Sequence, residues 1–148
     1  MAKIHPVANQ VELHPYFPQK GLVEFCQAND IHVIAHSPLG GIPIPVLVGR
    51  HGPGPLEDST VLELAKKYNK TPAQILLCAT ICRGISVVPK SNNPKRIAEN
   101  FDVLFDFEHQ DFQKMTDLVG VRGENGVRNL EMTAYLGFDN FNEEVEEP

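Results

Sequence analysis

Two fixed cations bracket a helix start in the segment Val88-Pro89-Lys90-Ser91-Asn92-Asn93-Pro94-Lys95-Arg96-Ile97. The apolar run from Gly84 to Val88 predicts a strand that ends in this polar turn. Asn93 is a cap residue, and Pro94 suits the first helical position, where a missing N–H costs nothing. Lys90 and Arg96 then flank the backbone N–H groups of a helix start, an arrangement that binds anions. The planar fork of Arg96 and the point charge of Lys90 suit a phosphate. The plainer alternative is a pair of ordinary surface charges beside a cap.

Other residue types that do chemistry make weaker patterns. His14, His32 and His36 suggest a metal, and His32 and His36 share a strand face. Four residues of strand rise separate them by roughly 13 Å, too far for one ion. Cys78 and Cys82 lie four apart on an expected helix, but no matching His pair completes a zinc set. With Cys26, they read as core on apolar helix faces. Tyr16, Tyr68 and Tyr135 have no Lys and His partners in a recognisable pattern. No metal site and no catalytic residue is assigned.

The elements that must position these groups follow from periodicity. Val7 to Leu13 reads as a buried strand, Ile31 to Ala35 as a second, and Gly84 to Val88 as a third. Helices are expected over Gln19 to Asn29, with Leu22, Phe25 and Cys26 inward, and over Ser59 to Tyr68. Thr71-Pro72-Ala73-Gln74 is a capping box opening the next helix. A helix from Pro94 to about Val103 is expected to bury Ile97, Ala98 and Phe101. A last one, about Glu108 to Val119, is expected to bury Phe112, Met115 and Val119. Residues 37–57 form a proline- and glycine-rich loop, too long to be a simple connection. Strands alternating with helices imply an α/β fold with a parallel sheet.

The whole of the 148-residue chain falls within the size of one domain, and 42% apolar content supports a core. A net charge of -6 without a basic tract argues against nucleic acid. No apolar run is long enough for a membrane span, and residues 1–6 carry no signal-peptide core. Three cysteines, an odd number in apolar surroundings, suit a reducing, cytoplasmic setting.

Asn9-Gln10-Val11-Glu12-Leu13-His14-Pro15-Tyr16, then Ala35-His36-Ser37-Pro38-Leu39-Gly40, then Val88-Pro89-Lys90-Ser91 resemble the aldo-keto reductase family in wording, order and separation. The match runs from about residue 5 to 108. The resemblance implies an eight-stranded β/α (TIM) barrel, of which residues 1–148 would be a single partial domain: the last three β/α units, with 37–57 as the loop over the cofactor and 120–148 as the C-terminal tail. It implies NADP(H) as cofactor. Gln10 would bind the nicotinamide carboxamide, and His36 would stand where an aromatic ring stacks on the nicotinamide. Ser37 and Leu39 would touch the pyrophosphate. Lys90, Ser91, Asn93 and Arg96, with Asn92 among them, would surround the adenosine 2′-phosphate. Glu99 and Asn100 would reach the adenine. Such a phosphate site after the last barrel strands is also a general property of β/α barrels.

Departures from the family pattern bear on activity. The motifs of its catalytic Tyr, Lys, Asp and His are not found here, nor is the Ser-Asn pair expected on the strand before Gln10. His36 replaces the usual Tyr or Phe. By ancestry the chain is an NADP(H)-binding oxidoreductase segment of cytoplasmic type, with little or no carbonyl reduction expected alone and a small carbonyl substrate only if the missing part completes it. A non-enzymatic interaction module, a weak nucleotide-phosphate binder and an incomplete gene product stay open as alternatives. Three strands leave two edges and one apolar face uncovered, which predicts a homo-oligomer or a tail folded back, through 132–136 and 138–141, as cover.

Overall fold

The computed structural model describes residues 3–40, 54–118 and 128. Three short parallel strands, β1 (Ala8–Glu12), β2 (His32–His36) and β3 (Ser86–Val87), form one sheet in that order. Ala8 lies opposite His32 and Glu12 opposite His36, while Ile34 and Ala35 pair with Ser86 and Val87. Helices α1 (Lys20–Ala28), α2 (Ser59–Tyr68), α3 (Pro72–Ile81), α4 (Pro94–Glu99) and α5 (His109–Asp117) follow, with a 3-10 turn at Pro55–Glu57. The expected α/β class and parallel pairing are therefore present.

Strand alternation gives the sheet two unlike faces. Val33 and Ala35 point into a core with Leu13, Val23, Cys26, Ile31 and Ile85, so this face is covered by α1. On the other face Ala8, Gln10, His32, Ser86 and Val88 are exposed. A second core joins Tyr16, Val61 and Leu64 to Ile75, Leu76 and Met115. Helix α3 is apolar almost all round, and residues 74–80 are all buried. It starts as expected: Thr71 accepts the Gln74 N–H, and the Gln74 side chain accepts the Thr71 N–H.

Several expectations are corrected. The helix expected to run to about Val103 stops at Glu99, and none of its residues is buried. Ile97 is 43% exposed and Phe101 86%, because no described element packs on that side. In α1 the inward residues are Val23 and Cys26, and Phe25 is exposed. At about 100° per residue Phe25 stands some 200° from Val23 and faces away. β3 is two residues long, shorter than the run 84–88, and its neighbour Val88 keeps only an N–H bond to the Ala35 carbonyl at 3.1 Å. β1 begins at Ala8, and Val7 is 81% exposed instead of buried. Cys26 and Cys78 are buried, but Cys82, capping α3, is exposed. Met115 is buried as expected and Phe112 only partly; Asp111 and Leu118 fill that face instead. Val119, residues 41–53 of the loop and both tail patches lie outside the described residues.

Candidate functional site

The assigned positions fall into two groups at one end of the sheet. Gln10 is exposed on the open face, level with Ile34. His36 closes β2 opposite Glu12, and Ser37 follows with a left-handed φ of 51°. A turn forms here, the Gly40 N–H donating to the Ser37 carbonyl at 2.9 Å. Because Val88 bonds back to Ala35, the chain leaving β3 delivers Lys90 and Ser91 to the carboxyl end of the same sheet. Open parallel sheets bind ligands at that end.

His36 is half-buried and its Nδ1 lies 3.2 Å from the Ser37 hydroxyl. Burial holds its pKa below the ordinary value; the Glu12 carboxylate opposes this, and Arg128 and His14 add to it. The ring is therefore neutral at pH 7, a better stacking surface than an imidazolium. Next to it, Glu12 and His14 form a buried pair, Oε1 to Nε2 3.0 Å. This pair escaped the sequence reading, although two residues of strand spacing already put both side chains on one face. Leu39 packs against the second core, so its side chain serves the fold.

The second group is built on the cap of α4. The Asn93 side chain accepts the Arg96 N–H at 3.2 Å, and the Ser91 hydroxyl accepts the Asn93 N–H at 3.1 Å. These bonds change the expected anion site. Pro94 has no N–H, Arg96 spends its own on Asn93, and the Ile97 N–H goes to the Asn93 carbonyl. Of the first-turn amides that leaves Lys95, so an anion at this position would have to be held mainly by side chains. Lys90, Asn92 and Arg96 are exposed, and neither Lys90 nor Arg96 makes an ion pair among the described residues. Lys95 instead faces Glu99 at 3.8 Å. The Asn100 N–H bonds the Arg96 carbonyl at 2.9 Å, which closes the helix.

Among the described residues no group of three or more His, Cys, Asp or Glu could hold a metal ion. His32 reaches the Ser86 hydroxyl at 2.8 Å, and His14 is taken by Glu12. Among the described residues no helix is long and apolar enough to cross a membrane.

A parallel α/β sheet with candidate ligand groups at its carboxyl end defines the general class. The Aldo/keto reductase family model matches residues 1–119, and the chain belongs to that family. It is 54% identical over 105 residues to aldo-keto reductase family 1 member D1 of Mus musculus, covering 71% of this chain and 32% of that protein. It is 41% identical over 121 residues to a probable NAD(P)H-dependent D-xylose reductase of Emericella nidulans, covering 79% and 38%. A Bombyx mori aldo-keto reductase, solved in complex with NADP, superposes with a TM-score of 0.78 at 32% identity, covering 96% of this chain and 45% of that one. The chain thus spans from about a third to less than a half of the length of these relatives.

Proposed function

We propose that this chain is the NADP(H)-binding C-terminal portion of an aldo-keto reductase-type oxidoreductase. The carrying observation is the pair Lys90 and Arg96, exposed and without ion pairs among the described residues, at the carboxyl end of the sheet. The family relationship and the NADP complex of the Bombyx mori relative support the same ligand. Arg96 would grip the 2′-phosphate with its fork, Lys90 would add charge, and the Ser91 hydroxyl and Asn92 amide would supply further bonds. Gln10 would hold the carboxamide, and neutral His36 would lie against the nicotinamide. Glu99 and Asn100 remain assigned to the adenine edge. When bound, the cofactor supplies a hydride for a carbonyl carbon; the protein binds and orients it.

Proton donation is a separate matter. Tyr16 donates its hydroxyl proton to Asp58 at 2.6 Å, and Tyr68 donates to Asp111 at 2.7 Å, so both serve structural networks. With the family's catalytic motifs not found in this chain, we assign it cofactor binding and little or no carbonyl reduction by itself. A missing general acid alone costs about 10²- to 10⁴-fold in rate.

Calorimetric titration tests the first part. Arg96→Ala weakens NADP(H) about 10- to 100-fold, as expected for a lost charge-assisted bond, and spares NAD(H). Equal losses for both cofactors show that Arg96 does not read the 2′-phosphate. An NADPH-oxidation assay over aldehydes and ketones tests the second; robust turnover by the pure chain overturns it.

A second reading, an interaction module, is favoured by the apolar exposure along the sheet edges and α4. Ile4, Val7, Phe101 and Leu104 are each at least 78% exposed. Light scattering separates the two: the interaction module is an oligomer indifferent to nucleotide.

A further inference from the structure

A cleft of about 320 Å³ lies between α1, α3 and α5. It shares no residue with the positions assigned to the cofactor. Its walls are apolar where the helices meet: Val23, Ala79 and Met115 are buried there, and Phe112 is half-buried. Arg83, just beyond α3, enters the same space. Its guanidinium is substantially buried, and burial presses against its charged form. Of five N–H donors on an arginine fork, one is spent, on the Pro18 carbonyl at 2.9 Å. Among the described residues Arg83 makes no ion pair.

A half-buried cation held in no ion pair among the described residues is costly, and a ligand carboxylate offsets that cost. The volume is at the small end of ligand sites, which combine apolar walls with a few convergent polar groups. Lys20 adds positive charge to the lining, while Glu24, one turn along, disfavours a second negative charge on a guest. The guest that fits is therefore a monoanion with a compact apolar body.

We propose that this cleft is a second ligand site, taking a small aromatic or short aliphatic carboxylate. The carboxylate sits on the unspent edge of Arg83, and the body packs on Val23, Ala79, Phe112 and Met115. A bidentate carboxylate–guanidinium pair gives the orientation.

The probe is 2-naphthoate, titrated into the full chain by NMR, with 2-naphthamide as its neutral isostere. Expected are saturable binding, methyl shifts at Val23, Ala79 and Met115, and at least about tenfold weaker binding of the amide. Arg83→Met removes the charge and reduces naphthoate to the level of the amide. Arg83 also ties down Pro18, so Thr116→Trp, which fills the cleft from α5, serves as the independent variant and abolishes binding of both probes. NADP(H) does not compete. The proposal is overturned by no saturable binding, by equal affinity for acid and amide, by competition from NADP(H), by shifts confined to the open face around Ile34 and Val88, or by naphthoate binding that survives Thr116→Trp.

Discussion

Asp111 is a buried carboxylate in the first turn of α5, and replacing it by asparagine gives a worked test of what holds α5 to α2. Its oxygens accept from Lys67 at 2.6 Å, from Tyr68 at 2.7 Å and from Lys114 at 2.8 Å. Lys114, Lys67 and Tyr68, in that order, hold the carboxyl well below the ordinary carboxylate range. Both lysines are roughly half-exposed, so water screens their share. Tyr68 is more enclosed, and its bond to an ionised acceptor is worth about 1.5–3 kcal/mol. The substituted amide would retain one acceptor oxygen but turn an NH₂ toward a cation. The expected loss for Asp111→Asn is therefore about 1.5–3 kcal/mol at pH 7, read as a lower urea midpoint with an unchanged slope. The sign with pH follows from the depressed pKa. The ionised network contributes its full stability above the unfolded carboxyl's ordinary value, near 4, and loses it as pH falls toward the lower folded value. Wild type and Asp111→Asn should converge on acidification below about pH 4. A loss under about 0.5 kcal/mol at pH 7, or a difference that does not shrink with acid, refutes this account.

Thr71→Ala removes the cap oxygen of α3 and should cost about 0.5–2 kcal/mol in urea unfolding; no change would mean that the buried helix does not depend on its capping box. Gly40→Ala should cost about 2–4 kcal/mol, because φ is 78° and an added Cβ would lie 2.5 Å from two Pro55 carbons; a neutral result by thermal unfolding would contradict that placement. Thiol titration at pH 8 should show Cys82 reacting fast and Cys26 and Cys78 slowly, since burial pushes the Cys78 thiol up to about 11; three equal rates would refute it.

Local chemistry was legible where a motif is self-contained. The Thr71–Gln74 box, the Asn93 cap and the parallel pairing all stand as read, because each depends on neighbours in sequence or on strand pattern. Burial was not legible where it depends on what lies opposite. Ile97, Ala98 and Phe101 have helical spacing that promises an apolar stripe, yet no described element covers it. Apolar periodicity states which side faces a partner, not that the partner is present. Phe25 erred differently, through helix phase: Val23 and Cys26 define the inward side. The Arg83 cleft was invisible because its walls come from positions far apart in sequence, from His14 to Thr116. The polar groups of the cap show a further limit. Spacing placed Pro94 and Asn93 correctly, but their bonds consume the amides that an anion would have used.

The distribution of burial separates the residues that hold the fold from those proposed to bind the cofactor. Both apolar cores are made by helices and by the helix-facing side of the strands. Gln10, Lys90, Asn92 and Arg96 are exposed and belong to neither. Exposed substitutions away from caps and cores usually change stability by no more than about 0.5 kcal/mol, so changes at these four positions isolate binding from folding. His36 is the exception. Half-buried and set against the Glu12–His14 pair, it couples the two, and His36→Phe alters both the ring offered to a nicotinamide and the packing beside a buried polar pair. An effect of Arg96→Ala on NADP(H) is thus interpretable from affinity alone, whereas one at His36 requires affinity and unfolding measured on the same protein.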